Sequence, residues 1–289
     1  MAIPLDLIAA PTEAPPLVSF RDVWVRRGRA DVLRGVTADV RRGDITALIG
    51  EARTLVFSSA SAEADFRRFY PAAQVRTEVL HFHTNAVPAW FEGDPLAVQK
   101  QFHLPARFLL VSNQFWQHKN HGVVLAALAL LRDRGSVVEI VCTGHPSDYR
   151  NSDYFNSLLR RIHELGLAPQ IHLLGLIERA EQIQLMRRCL AVVQPSLFEG
   201  WSTVLEDARA LGKTVIASDL DVHREQQPPG VRFFARTSAE DLAGVIAALL
   251  PELEPGPDHG REEAARAAVE QALLGYGRRF LEIVRGCVA

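Results

Sequence analysis

Residues 195–208, Pro-Ser-Leu-Phe-Glu-Gly-Trp-Ser-Thr-Val-Leu-Glu-Asp-Ala, hold the densest set of groups able to do chemistry. Two carboxylates, Glu199 and Glu206, bracket a turn marked by Pro195 and Gly200 and the start of a helix that runs toward Gly212, a residue type that commonly ends helices. The apolar run 190–193 before the turn reads as a buried strand. Where strands alternate with helices, ligands bind where strand C-terminal ends meet helix N-termini. The free N–H groups there favour anions, each charge interaction contributing about 0.3–1 kcal/mol when exposed and up to about 2 kcal/mol when partly buried. Glu199 lies in the approach loop, within reach of a ligand, and Glu206 follows roughly two helical turns on, near the same side. A competing reading treats Thr203-Val204-Leu205-Glu206 as a capping box, in which Glu206 serves only the helix start.

A second cluster, Val111-Ser112-Asn113-Gln114-Phe115-Trp116-Gln117-His118-Lys119-Asn120-His121, follows the apolar run 108–111. Lys119 stands at the start of the next helix, where a cation is disfavoured unless something negative meets it; the alternative is a solvated lysine. Gly144 permits close approach of backbone to a ligand or is an ordinary turn glycine. His81 and His83 sit two apart on an apparent strand without a third ligand, so a structural role is expected rather than metal binding.

The elements that must position these groups alternate from residue 107 onward. Strands are expected at 108–111, 137–141, 171–174, 190–193, 215–217 and 231–234, with helices at 122–131, 158–165 and 178–188 between them. Near-continuous apolar strands separated by helices imply a parallel sheet covered on both faces, and right-handed crossovers make it a Rossmann-like, doubly wound α/β fold. Residues 261–284 read as a long terminal helix after the proline-bearing stretch 251–257.

Composition narrows the class. The 289 residues are 48% hydrophobic and 23% charged, ordinary for a folded soluble domain with an ample core. Lys plus Arg (32) nearly balances Asp plus Glu (34), so no bulk basic field points to nucleic acid. No apolar run is long enough to span a bilayer, and the first residues lack the basic and apolar regions of a signal peptide. Cys142, Cys189 and Cys287 are too few and too scattered for a disulfide framework or a zinc site. The cytoplasm is the expected compartment, with peripheral attachment at the inner face of the membrane left open.

The first cluster continues into Leu211-Gly212-Lys213-Thr214-Val215-Ile216-Ala217-Ser218-Asp219 and Val222-His223-Arg224-Glu225. Together with the second cluster, this resembles the sugar-donor-binding half of family 4 (group 1) glycosyltransferases, over about residues 52–250. The resemblance implies the C-terminal half of a GT-B fold and a retaining, metal-independent transfer from a nucleotide-diphosphate sugar to a saccharide or lipid-linked acceptor, with no cofactor. It implies that Lys119 neutralises the diphosphate, that Glu199 holds hydroxyls of the transferred sugar, and that Glu206 accepts from the ribose hydroxyls. Backbone N–H groups of Gly200, Trp201, Ser202 and Thr203 would lie near the sugar, and Ile177 in the loop bordering the base. The family often has arginine where Gln114 stands, which leaves Lys119 with more of the charge, helped by His118 or Arg224. The family's glutamate pair usually has seven intervening residues, whereas Glu199 and Glu206 have six.

The N-terminal fifty residues read differently, with strands expected at 17–25, 31–40 and 45–49 as a small antiparallel β segment. They resemble the opening strands of an ABC-transporter ATP-binding subunit. There Ala47-Leu48-Ile49-Gly50 would run into a phosphate loop, but Glu51-Ala52-Arg53-Thr54-Leu55 follow, without its lysine, later glycines or hydroxyl. Nothing then cradles the phosphates, and the ATPase reading fails on chemistry. Residues 51–104 resemble the last strand and helix of an acceptor domain plus a linker, 105–251 the donor-binding domain, and 252–289 a linker and terminal helix. The change at residues 50 and 51 is read as a fusion of two truncated genes or a sequence-assembly join. A catalytically incompetent nucleotide-sugar-binding or scaffold protein is the alternative function, and an ABC-type remnant the third.

Overall fold

A computed structural model of the chain describes residues 18–27, 30–40, 52, 54–148 and 150–288. Two compact units emerge. The first comprises residues 1–55 and 74–77, and the second residues 56–73 and 78–289. In the first, β1 (Val18–Arg27) and β2 (Ala30–Val40) pair antiparallel, with register shifts along the ladder. The third strand expected at 45–49 lies outside the described residues.

A six-stranded, fully parallel sheet organises the second unit. It is built from β5 (Leu109–Ser112), β6 (Ile140–Thr143), β7 (Ile171–Gly175), β8 (Val192–Gln194), β9 (Val215–Ser218) and β10 (Arg232–Phe234), in the order β10-β9-β8-β5-β6-β7. The chain steps outward from β5 to β7, then returns to β8 on the other side of β5. That reversal creates a crevice at the C-terminal ends of β5 and β8.

The intervening helices are α4 (His121–Asp133), α5 (Tyr154–Glu164), α6 (Arg179–Arg188), α7 (Thr203–Ala210), α8 (Asp221–Gln226) and α9 (Ala239–Leu249). Strand residues alternate between two cores, as period-2 geometry requires. Leu109, Val111, Val193 and Ile216 join the core with α4 and α9, while Phe108, Leu110, Val192, Val215 and Ala217 join the one with α6 and α7. Burial on both faces explains why these strands read as unbroken apolar runs.

Two strands, β6 and β8, begin two or more residues later than their apolar runs suggest. Val137, inside the run that was expected to open β6, is 67% exposed, and β6 starts where Ile140 pairs with Leu109. β8 extends instead through Gln194, a fully buried polar residue.

Ahead of the sheet lie β3 (Thr54–Phe57), α1 (Ala60–Phe69), β4 (Arg76–Val79), α2 (Ala89–Glu92) and α3 (Pro95–Gln101). Of these, α3 packs on α6. The terminal helix α10 (His259–Val288) is anchored by Glu262, which receives Nε and Nη2 of buried Arg187 at 2.7 and 3.1 Å. No helix among the described residues is long and apolar enough to cross a membrane.

One core group predicts a pH response. His121 opens α4 with its ring stacked on Phe115 (4.5 Å between centroids), and among the described residues neither ring nitrogen has a hydrogen-bond partner. Burial, reinforced by Lys119, pushes its pKa down to about 3, so the folded state keeps the ring neutral while the unfolded chain takes up a proton below about 6.5. Stability contributed this way is present above pH 6.5 and lost as pH falls from 6.5 toward 3. Denaturant melts of His121→Phe are expected to lose about 2 kcal/mol less than the parent between pH 7 and pH 5. Equal losses in the two proteins would show that His121 is already charged when folded.

Candidate functional site

The crevice at the β5/β8 reversal opens into a cleft of about 360 Å³. Its floor is set by polar residues at the strand ends. Asn113 Nδ2 donates to Gln194 Oε1 at 2.9 Å, tying the end of β5 to the end of β8. Gln194 Nε2 in turn donates to Ser196 Oγ (3.1 Å) and to Glu199 Oε1 (2.8 Å). Beside them Ser112 Oγ lies 3.1 Å from Thr143 Oγ1 and also bonds Gln182.

Lys119 is brought to the same point by a short 3-10 turn, Gln117–Lys119, which precedes α4. Asn120, at φ 57°, donates to the carbonyls of Pro195 and Arg236 at 3.0 and 2.9 Å, and Leu197 N–H donates to the His118 carbonyl at 2.8 Å. These bonds lock the turn against the loop that carries Glu199. Lys119 Nζ then donates to Glu199 Oε1 at 2.6 Å, with the two side chains only 15% and 10% exposed. Ser196 Oγ adds a further bond to the same oxygen at 2.8 Å. Lys119 is therefore no solvated surface lysine. Three donors converge on Oε1, and among the described residues none is bound to Oε2.

Gly144 is required by the packing of the strand ends. It adopts φ 138°, and a Cβ there would sit 2.1 Å from the Asn113 carbonyl oxygen. Only glycine lets the β6 end lie this close to the β5 end, and the same residue lines the cleft.

Of the residues singled out from sequence, Gln114, Lys119, Gly144, Ile177, Glu199, Trp201, Ser202 and Thr203 line this cleft, and Gly200 and Glu206 do not. The Glu206 assignment needs correction. Ser202, one residue earlier than the expected Thr203, caps α7, its Oγ accepting from Leu205 N–H, so the capping box of Thr203 and Glu206 is not formed. Glu206 is 1% exposed beneath the helix, where Oε2 meets His83 Nδ1 at 2.9 Å and Oε1 receives Gln226 Nε2 at 3.1 Å. Asp207, about 100° further around the helix, is the acid on the cleft wall. Its Oδ1 accepts from Arg179 Nη2 (2.7 Å) and Thr84 Oγ1 (2.9 Å). Burial raises the Asp207 pKa, with Arg179 and Thr84 pulling the other way.

Four further expectations change. Ser202 N–H is taken by Gln226 Oε1 at 2.9 Å, which removes it from the N–H groups open to a ligand. Arg224 is exposed, with its guanidinium 4.9 Å from the Phe233 ring centre, and does not reach the cleft. Burial, then Lys119, lowers the pKa of His118, which works against its adding positive charge. His81 and His83 lie beyond β4 rather than on it, and they meet Glu225 (2.6 Å) and Glu206 (2.9 Å) respectively. Among the described residues no cluster of three or more His, Cys, Asp or Glu is placed to hold a metal ion.

The sequence reading missed Asp207, Arg179, Asn113 and Gln194. A usable signal existed for the first of them. Glu199 and Asp207 are separated by seven residues, the usual spacing of the acidic pair in the resembled family.

Residues 96–266 match the family of glycosyl transferases, group 1. The chain belongs to that family. A Bacillus subtilis (strain 168) protein, EpsF, which carries a glycosyltransferase name, is 30% identical over 149 residues, or 49% of this chain and 36% of its own length. Among solved structures, sucrose-phosphate synthase from Thermosynechococcus elongatus superposes with a TM-score of 0.66 at 20% identity, covering 82% of this chain and 60% of the other. Anabaena HepE, solved in complex with UDP and glucose, superposes with a TM-score of 0.65 at 19% identity, covering 81% and 64%. The chain thus spans about a third of EpsF and under two thirds of these structures. Its parallel sheet is the C-terminal half of a GT-B fold.

Proposed function

We propose that the cleft binds a nucleotide-diphosphate sugar and that this family 4-type site transfers the sugar, with retention and without a metal ion, to a saccharide or lipid-linked acceptor. The observation that carries this reading is the Lys119–Glu199 pair at the strand reversal, since it sets a cation and a hydroxyl-accepting carboxylate side by side in a half-buried crevice. As the leaving group departs, negative charge concentrates on the outer phosphate. A positioned ammonium and the N-terminus of α7 stabilise that charge. Glu199, with Oε2 unoccupied, accepts from hydroxyls of the transferred sugar, and Asp207 takes the ribose role first given to Glu206. The second cation on the cleft wall is Arg179, where the Gln114 position supplies none.

HepE was captured with UDP and glucose, so a uridine nucleotide is the first one to test. Calorimetric titration with UDP, GDP and ADP in the presence of chelator is expected to show binding of at least one. Undetectable heats for all three would sink the site, and heats that appear only when magnesium is added would sink its metal independence.

A further inference from the structure

Residues 81–84 precede the family-matched segment 96–266, yet each of them touches α7 or the loop leading into it. The His81 ring stacks on the Trp201 indole, with centroids 4.5 Å apart and planes 7° from parallel. Trp201 Nε1 donates to the Phe82 carbonyl at 3.0 Å. His83 meets buried Glu206, and Thr84 donates to Asp207. His81 is itself held by Glu225 of α8, whose carboxylate also accepts from the N–H groups of Ala60 and Ser61 at 2.7 and 3.2 Å at the start of α1. Two of the groups so held, Trp201 and Asp207, form the cleft wall.

We propose that residues 81–84 form a positioning strap for the sugar-donor cleft, in which Thr84 sets the Asp207 carboxylate and His81 sets the Trp201 ring. This rests on the sugar-donor reading of the cleft. A carboxylate facing a lone arginine tends to take both guanidinium bonds in a bidentate pair. Thr84 and Arg179 share Oδ1, which leaves Oδ2 without a donor among the described residues and available to a ligand hydroxyl. Trp201 is 8% exposed, sandwiched between the strap and the cleft, so the flat His81 contact fixes the plane of that wall. Neither His81 nor Thr84 lines the cleft, and both act through the residue they hold.

Two substitutions test the strap. Thr84→Val keeps the shape and removes the hydroxyl, so affinity for whichever nucleoside diphosphate binds is expected to fall about fivefold at unchanged melting temperature. Thr84→Ser, which restores the hydroxyl, is expected to return to the parent value. Nucleotide affinity unchanged in Thr84→Val, or not restored by Thr84→Ser, would overturn the Thr84 role. The second test needs no ligand. The indole emission of Trp201, isolated by difference against Trp201→Phe, is expected to shift red and become more accessible to acrylamide in His81→Ala, while His81→Phe retains the stack and the parent emission. Emission unchanged in His81→Ala overturns the strap. A parent chain that binds no nucleotide, combined with the expected emission change, removes the sugar-donor reading and leaves the strap's hold on Trp201 standing.

Discussion

Lys119→Ala is expected to weaken nucleotide-diphosphate binding by about 1.5–3 kcal/mol, roughly ten- to a hundredfold, the usual cost of losing a hydrogen bond to a charged group. The size follows from where the ammonium sits. It is 15% exposed, is fixed by the locked turn before α4, and faces the loop that carries Glu199. In alanine's place Glu199 keeps, among the described residues, only the neutral donors Gln194 and Ser196, and Arg179 and the α7 N-terminus are left to face an incoming phosphate, so the like charges of carboxylate and ligand meet without the ammonium between them. Glu199→Gln separates the two effects, because it removes that repulsion and keeps the ammonium. It should therefore bind the bare nucleoside diphosphate at least as well as the parent, and bind the nucleotide sugar less well. Calorimetry on the three proteins with the same ligand makes the comparison. Parent-like affinity in Lys119→Ala would reduce Lys119 to a structural partner of Glu199.

The part of this site legible in the sequence is the part fixed by local pattern. Alternating apolar strands and helices point to a doubly wound sheet, and that sheet places residues 112–119 and 195–203 at one reversal. Gly144 and Glu199 follow from their positions after strands, and Lys119 from the family resemblance. Gln194 shows the limit of the apolar criterion. It is a fully buried strand residue whose amide bonds Asn113, Ser196 and Glu199, groups that hydropathy does not bring together. Residues 81–84 show a second limit. Their contacts lie more than a hundred positions away, on α7 and the loop before it, and nothing in their own neighbourhood encodes that distance. Helix phase is the third, because Glu206 and Asp207 are adjacent and both buried, and about 100° of rotation separates the acid under the helix from the one on the cleft wall.

That phase makes the acids distinguishable by experiment. Were Glu206 a ribose ligand, Glu206→Gln would bind nucleotide weakly and melt like the parent. The structure reverses the expectation, since the Glu206 side chain is 0% exposed, lies off the cleft and bonds His83 and Gln226. The buried carboxylate accepts from Gln226 and faces Arg209 Nε at 3.5 Å, and an amide removes its charge and one of its two acceptor atoms, so Glu206→Gln is expected to lose about 1–3 kcal/mol of stability with nucleotide affinity within about twofold of the parent. Asp207→Asn should do the opposite. Its carboxyl already has a raised pKa through burial, so removing the charge relieves desolvation, and Arg179, 49% exposed, regains water when the pair is broken. Melting should therefore change little. On the ribose role proposed for Asp207, its charge-assisted bonds to the hydroxyls are lost, however, which is expected to cost about 1.5–3 kcal/mol of nucleotide affinity. Melting curves and titrations on both proteins decide the matter. Weakened binding in Glu206→Gln beside parent-like binding in Asp207→Asn would return the ribose role to Glu206 and show that α7 turns in solution by about one residue from the phase described here.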